Sequence, residues 1–589
     1  MNKFVVNGPQ DTSGIPHKPI GKLLMDAFST FDKNLIAVVN ATTGDSLTYS
    51  QLCQMSKNLA TSLRLLGVSK GDIVGLMAEN SAEFLVTYLA GLFIAVPVHL
   101  INSKHTPYEL EHILGLSEPS VLICTKKTHQ NARKAVKDLN YVTTVLCLDV
   151  EKMLSACVHE SNFQVEDNFD PEEQIALICN SSGTTGLPKG VMINHEMLRL
   201  HFTIGRHPDL LNLKIGDRLV VIVPFFHIYG MGMINAALFT GTTIIPVDAF
   251  EPDLFLKTVQ NYKTETLLLV PTLVNFFIKS PLVGKYDLSS VKRVVSAGDC
   301  LPEEDARQLI NKLSLQKLEI GYGLTESGIA ACSHDNPSSI GKVLCGYQMK
   351  VVDLEKGHSL PPFQNGEICI KGQIMKGYLK NSEKTKEMLD SEGFLHSGDV
   401  GYYDDEGYFY ISGRMKDLIK HKSCQVAPVE LEQILSKFEG IKDVAVIGKP
   451  DSRFGELPTA AVVKEQGVEI TEIEICEYLA KFVCDEKRLH GGVRFVDDIP
   501  RTNLGKIRRQ ELMKQLFNEY VNLAHLAATL SNLVNVDTSF DRDFLSSRLY
   551  ENIWYVVIPK FTLTFVFSMP SPKTRRTETE RFATHRTER

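Results

Sequence analysis

Short apolar runs alternate with helix-spaced apolar positions along most of this chain, and that alternation restricts its fold more than any other feature. Leu52, Met55, Leu59, Leu63 and Leu66 recur at helical spacing, Gly67 can end the helix, and Ile73-Val74-Gly75-Leu76 follows as an apolar run. The pattern repeats through Phe84 to Gly91, Ala95-Val96-Pro97-Val98, Leu110 to Leu114 and Val121-Leu122-Ile123. It returns at Arg218 to Val223, Thr243 to Pro246, Leu267 to Val270 and Val291 to Val295. Strands and helices in this order predict an α/β fold of several layered sheets, largely parallel, with helices covering them.

After Gly346 the texture changes. Met349 to Asp353 and Gly366 to Ile370 read as half-buried strands of a smaller, twisted, antiparallel sheet. The polar run Gly413 to Asp417 then precedes a second segment with Leu431 to Phe438, Val444 to Ile447, Ala460 to Val463 and Ile475 to Val483. We place a boundary near Lys416, giving a large N-terminal domain over 1–415, a small, mobile α+β domain over 416–530 and a tail over 531–589. In the tail, Ile553 to Met569 is apolar but interrupted by Pro559 and Lys560, and is shorter than the roughly 20 residues of a spanning helix. It reads as an extension, with a membrane contact or a cover for another surface as alternatives.

With 589 residues the chain can build at least two domains, and its 43% apolar and 23% charged content is that of a soluble globular protein. A formal net charge of −7 leaves no basic field suited to nucleic acid. The 12 cysteines are scattered, without a Cys-x-x-Cys pair or a secretory segment, which points to an intracellular, reducing compartment. Cytoplasm and peroxisome both fit, although His585-Arg586-Thr587-Glu588-Arg589 is not a small-basic-leucine peroxisomal signal.

Four constellations carry chemistry. Asn180 to Val191 follows the apolar run Ile175 to Cys179 as a strand-end loop. Gly183 and Gly186 let successive N–H groups converge on an anion, Ser182, Thr184 and Thr185 add hydroxyls, and Lys189 adds a charge suited to phosphate. The Gly-x-x-x-x-Gly-Lys-Ser/Thr pattern of nucleotide hydrolases is absent, and a plain surface turn is the alternative. Gly321-Tyr322-Gly323-Leu324-Thr325-Glu326 reads as a second strand-end loop, with a flat ring for a base and hard oxygen atoms for Mg²⁺, or as a simple turn. Asp399, after Ser397-Gly398, can accept hydrogen bonds from ribose hydroxyls or cap a turn, and Arg414 can hold a phosphate or pair with a surface carboxylate. In Ile499 to Arg509, Lys506 beside Gly505 can enter a phosphate site from a mobile tip, or belong to a solvated basic face. His227, among Phe225, Phe226, Ile228 and Tyr229, has no neighbouring metal-ligand partner and reads as a pocket wall or lid.

As an ordered set, these motifs make the stretch from about Lys18 to Leu516 resemble the adenylate-forming enzymes: acyl-CoA synthetases, 4-coumarate–CoA ligases and beetle luciferases. Gln425-Val426-Ala427-Pro428 and Gly505-Lys506 also match the family's pattern. The resemblance implies ATP-dependent activation of a carboxylic acid, fatty or aromatic, to an acyl-adenylate and its transfer to coenzyme A. Light emission from an adenylated luciferin, or an impaired member with a binding role, are the alternatives. It implies a C-terminal domain that swings near Lys416, presenting Lys506 for adenylation and the face around Lys420 and Gln425 for thiolation. It further implies ATP on Ser182, Gly183, Thr184, Thr185, Gly186, Lys189, Gly321, Tyr322, Gly323, Asp399 and Arg414, with Thr325 at the α-phosphate. Mg²⁺ would meet Thr184 and Glu326. The acid would meet Arg206, Phe226, His227, Ile228, Tyr229, Ala297, Gly298 and Ile329, with Lys506, Lys420, His227, Thr325 and Glu326 as the catalytic candidates. This chain departs from the family at Ala297 and Ser423, both usually glycine, and at Arg501, usually lysine. Phe226 and Ile329 depart from luciferases, which carry a histidine and a serine there.

Overall fold

In the computed structural model the described residues are 4–150, 152, 163–181, 188–421, 424–451, 454–483, 485–502, 505–517, 553–558 and 561–566. They fall into two units, Met1–Phe517 and Asn518–Arg589.

Two large sheets in the first unit realise the predicted alternation. One runs Gly377–Tyr378, Lys189–Asn194, Ile175–Ser181, Val98–Asn102, Val74–Ala78, Val121–Thr125, Thr144–Leu148. Its last five strands are parallel, and the first two join antiparallel. Every residue of Val74–Ala78 and Val121–Thr125 is buried, as a strand covered on both faces requires. The apolar run at Ala95 differs from expectation: pairing begins only at Val98. Ala95 has φ 55°, and Val96 N–H donates to Gly91 O, so those residues close the helix Ala82–Phe93 instead.

The second sheet runs Lys342–Val343, Gly328–Ser333, Lys317–Leu324, Arg293–Ala297, Thr266–Leu269, Arg218–Val221, Thr243–Pro246, Ile36–Val39, Ser46–Thr48. From Lys317–Leu324 to Ile36–Val39 its strands are parallel. The smaller sheet is antiparallel throughout, as read: Val5–Asn7, Tyr347–Val352, Gly366–Gly372, Leu395–Tyr403, Phe409–Arg414.

A fourth sheet, of Ile419–His421, Cys424–Val426, Ile441–Asp451, Gly455–Lys464 and Val493–Phe495, carries the helices Pro428–Leu435 and Glu472–Leu479. Leu431, Leu435, Val446, Val462, Ile475 and Leu479 give it a core of its own. The fold is therefore mixed α/β, a large N-terminal part followed by a smaller α+β part.

In the second unit the tail's apolar run forms two antiparallel strands, Ile553–Ile558 and Phe561–Val566. Pro559 and Lys560 lie outside the described residues. No described helix is long and apolar enough to cross a membrane.

Candidate active site

A cavity of about 840 Å³ opens where the parallel strands of both large sheets end. Asn102, Ser181, Val270 and Ala297 stand at or just past carboxyl ends of their strands and line it, the location open α/β sheets use for ligands. Most of the residues singled out from sequence and described here line it together: Lys189, Gly321, Tyr322, Gly323, Thr325, Glu326, Arg414 and Lys506, with Phe226, His227, Ile228, Tyr229, Ala297, Gly298 and Ile329.

His227 caps the helix Ile228–Thr240, its Nδ1 accepting from Tyr229 N at 3.4 Å. The segment leading into it is pinned by Asn80: its Oδ1 accepts from Phe225 N at 2.8 Å and its Nδ2 donates to Val223 O at 3.0 Å and Val247 O at 3.1 Å. Burial, aided by the charge of Lys506, lowers the His227 pKa to about 4, so the ring is neutral at physiological pH. Tyr229 donates to Val295 O at 2.9 Å, fixing its ring across the sheet edge.

Gly321 to Leu324 is not a loop after a strand end. The strand Lys317–Leu324 continues through it and pairs antiparallel with Gly328–Ser333, with a register shift at Tyr322/Gly323. A Cβ on Gly323 would lie 1.8 Å from Gly328 O, which explains the second glycine. Tyr322 is thereby held with its hydroxyl 2.9 Å from Asp399 Oδ2, to which it donates.

Asp399 does not cap a turn. It lies within the strand Leu395–Tyr403, directly opposite Arg414 in the antiparallel pair, and is 4% exposed. Arg414 Nε lies 2.7 Å from its Oδ1, so the arginine pairs with a buried carboxylate and not a surface one. Burial pushes the Asp399 carboxyl above the ordinary carboxylate value, opposed by Arg414, the Tyr322 hydroxyl and Lys506.

Glu326 is likewise buried, its Oε1 accepting from Tyr378 OH at 2.8 Å. Lys189 Nζ lies 5.0 Å from the Tyr378 ring centroid, and burial with repulsion from Lys384 lowers its pKa while Glu326 opposes the shift. One carboxylate and the Thr325 hydroxyl at a cavity wall form a hard oxygen donor set, and it suits Mg²⁺ shared with phosphates.

The described residues around Lys506 are closely tied. Thr502 N–H donates to Lys506 O at 2.8 Å, and Arg501 donates to Gly505 O at 2.8 Å while its Nη2 holds both Asp443 oxygens at 2.8 and 2.9 Å. Gly505 has φ +86°, and a Cβ there would lie 2.1 Å from Thr272 Cγ2 at the start of the helix Pro271–Lys279. This close approach seats Lys506 in the cavity.

Other sites fall elsewhere. Arg206 is exposed at the end of the helix His195–Arg206, does not line the cavity, and lies 4.3 Å from the Phe239 ring centroid. Lys420 stands opposite Gln425 in the register of the fourth sheet. Ser182, Gly183, Thr184, Thr185, Gly186 and Ser423 lie outside the described residues. Sequence reading missed Asn80, Tyr378, Thr272 and His201. Asn80, two residues past the strand Val74–Ala78, carried a positional signal, whereas Tyr378, on a two-residue edge strand, carried none.

The sequence profile described as AMP-binding enzyme matches residues 27–379, and that of the AMP-binding enzyme C-terminal domain matches 430–506. The chain is 38% identical over 524 residues to a luciferin 4-monooxygenase of Nipponoluciola cruciata, covering 85% of this chain and 95% of that protein. It is 35% identical over 523 residues to a 4-coumarate–CoA ligase of Humulus lupulus, with the same coverage of 85% and 95%. The ATP-bound structure of MatB from Rhodopseudomonas palustris superposes with a TM-score of 0.78 at 28% identity, covering 85% of this chain and 99% of that one.

Proposed function

This chain belongs to the AMP-binding enzyme family, and we propose that within it the protein is an AMP-forming acid–CoA ligase. One observation carries the reading: Lys506, from the C-terminal part, reaches the same cavity as Thr325, Glu326 and Arg414. In the proposed reaction a carboxylate oxygen attacks the α-phosphorus of ATP, and the α–β bond breaks to release pyrophosphate. The thiolate of coenzyme A then attacks the acyl carbonyl, and AMP leaves.

Each residue has a defined task. Lys506 neutralises charge on the carboxylate and α-phosphate as they approach, in a site the neutral His227 ring helps keep free of competing charge. Lys189 carries positive charge to the outer phosphates. Tyr322, Asp399 and Arg414 hold the nucleoside. Glu326, oriented by Tyr378, and Thr325 would hold Mg²⁺, which when bound offsets phosphate charge. The ligase outcome is supported by Phe226-His227-Ile228-Tyr229, which resembles ligases more than luciferases.

Monooxygenation of an adenylated luciferin is the second reading, favoured by the 38% identity to a luciferin 4-monooxygenase. Pyrophosphate release across a panel of fatty and aromatic acids, with and without coenzyme A, tests the proposal. Thioester and AMP formed in equal amounts support it. Adenylate formation with no thioester, together with light from luciferin and oxygen, refutes it in favour of the second reading.

A further inference from the structure

Glu367, Cys369 and His396 meet on the small antiparallel sheet, and none of them lines the cavity or enters the proposed chemistry. Cys369 stands directly opposite His396 in the pairing of Gly366–Gly372 with Leu395–Tyr403. Glu367, two residues before Cys369, shares its face of the strand. The register shifts between Glu367 and Cys369, so Ser397, Gly398 and Asp399 bow out opposite Ile368. That bow brings the Glu367 carboxylate against both the imidazole and the backbone. Its Oε2 lies 2.7 Å from His396 Nδ1, and its Oε1 accepts from Gly398 N–H at 2.9 Å. Cys369 Sγ lies 3.6 Å from the same Nδ1. Among the described residues, no other three His, Cys, Asp or Glu side chains bring their ligand atoms within 4.8 Å of one another.

Hydrogen bonds serve this trio unevenly. Nδ1 makes one strong bond, and the carboxylate takes it. The buried thiol is left with that ring edge at 3.6 Å and Glu367 O at 3.9 Å, both weak contacts. A divalent cation would satisfy all three atoms together. Tetrahedral zinc, with Zn–S of about 2.3 Å and Zn–N of about 2.0 Å, holds those two ligand atoms about 3.5 Å apart. The sulfur–nitrogen separation here is 3.6 Å. Oxygen and nitrogen on the same ion stand about 3.3 Å apart, so the carboxylate must withdraw by only about 0.6 Å.

The surroundings fit such an ion. One carboxylate and one thiolate cancel a 2+ charge, as a poorly solvated site requires. Val352 and Phe394 pack with Cys369 and close the inner side, while the His396 side chain is 32% exposed and leaves a way in. Lys350, the other register partner of Cys369, is already held by Asp390 and Glu392 at 2.7 Å each. Mg²⁺ takes oxygen ligands, whereas a set with thiolate and imidazole suits zinc.

We propose that Glu367, Cys369 and His396 bind a thiophilic divalent cation, Zn²⁺, through one oxygen, one sulfur and one nitrogen, at a site separate from the Mg²⁺ donors Thr325 and Glu326. The thiol proton passes to solvent as the metal enters, and water takes the fourth position.

The test uses the full chain, stripped with a chelator and kept in excess Mg²⁺ so that oxygen-only sites are filled. Zn²⁺ titrated calorimetrically should bind with a stoichiometry near one. Co²⁺ in its place should give a thiolate-to-cobalt charge-transfer band and the strong visible absorption of a four-coordinate ion. A wild-type spectrum without that band overturns the proposal, whether or not any variant folds. In Cys369→Ser, folded by circular dichroism, the band should vanish; a band that survives comes from another thiol and also overturns it. His396→Gln should weaken Zn²⁺ by at least about tenfold, since loss of an outer-shell partner alone costs that much. An unchanged Kd removes the histidine and the site with it. Cys147 and Cys300 are exposed, and a Cys147→Ser/Cys300→Ser variant should keep the band. Its loss there would place the metal on surface thiols and refute the assignment.

Discussion

Gly505→Ala should uncouple Lys506 from the cavity while leaving both folded parts intact. Two costs can be read from the geometry. The φ of +86° places a non-glycine residue in left-handed space, at about 1–2 kcal/mol. The new methyl would sit 2.1 Å from Thr272 Cγ2, against roughly 3.5–4.0 Å for a relaxed carbon pair, so the loop must retreat by more than about 1 Å. Displacing a reacting group by about 1 Å costs on the order of 100-fold in rate. We therefore expect pyrophosphate release at saturating ATP and acid to fall about 100-fold, with a thermal midpoint close to wild type. Transfer from preformed acyl-adenylate to coenzyme A, a step that the family resemblance implies uses another orientation of the C-terminal part, should be largely spared. Thr272→Ser removes the offending Cγ2. In the double variant about tenfold of the rate should return, and the rest stays lost to the backbone term. A wild-type rate for Gly505→Ala, or a double-mutant coupling below about 0.5 kcal/mol, would refute this account of how the loop docks.

Lys506→Ala should abolish adenylation in a pyrophosphate-exchange assay while the protein remains folded by circular dichroism; retained exchange removes Lys506 from the first step. Asp399→Ala should raise the Kd for ATP about tenfold by calorimetry, since it removes the proposed ribose acceptor and leaves Arg414 without its carboxylate. An unchanged affinity takes Asp399 out of the ribose site. Stability should also fall in mild acid. Burial lowers His99 and His201 to about 4 and His195 to about 3, from an ordinary value near 6.5. A base whose pKa drops on folding stays neutral in the native state, while the unfolded chain takes up the proton. That contribution is present in full above about pH 6.5 and is lost as pH falls through the window from 6.5 to about 4 for His99 and His201, and to about 3 for His195. Thermal midpoints that do not decline between pH 6.5 and 4.5 would contradict these shifts.

The alternation of apolar runs was legible because a parallel strand covered on both faces must be apolar throughout, and Val74–Ala78 obeys that rule residue by residue. The candidate site residues could be picked out because they cluster in short polar, glycine-rich segments, and Lys189, Tyr322, Glu326, Arg414 and Lys506 do share one cavity. What could not be read was how those motifs sit in the sheets. Asp399 resembles a turn cap beside Gly398, yet cross-strand register sets it against Arg414. The segment Gly321–Leu324 resembles a loop because it is rich in glycine, yet those glycines serve a bulged hairpin. Arg206 was placed in the pocket by analogy alone, and helical phase turns it outward onto Phe239. Asn80, Tyr378 and Thr272 act through contacts with residues more than 50 positions away in sequence, which no local pattern records.

The Asp399 cluster shows how a buried carboxylate is kept able to hold its charge for the ribose contact proposed for it. An ionised carboxylate offers about four acceptor positions. Arg414 Nε takes one at Oδ1 and Tyr322 OH takes one at Oδ2. Two remain, the number that the vicinal diol of the proposed ribose contact would need. Burial alone would drive the carboxyl toward its neutral form, which has lost an acceptor and gained an unwanted donor. The arginine directly across the strand pair opposes that shift and thereby keeps the acceptors available. The tyrosine performs two tasks from one rotamer, since its hydroxyl fixes the carboxylate while its ring stands at the cavity wall where a base can stack. Replacing Arg414 would therefore damage nucleotide binding through the protonation of Asp399 as well as through its own lost contacts, and that damage would lessen as pH rises above the shifted carboxyl.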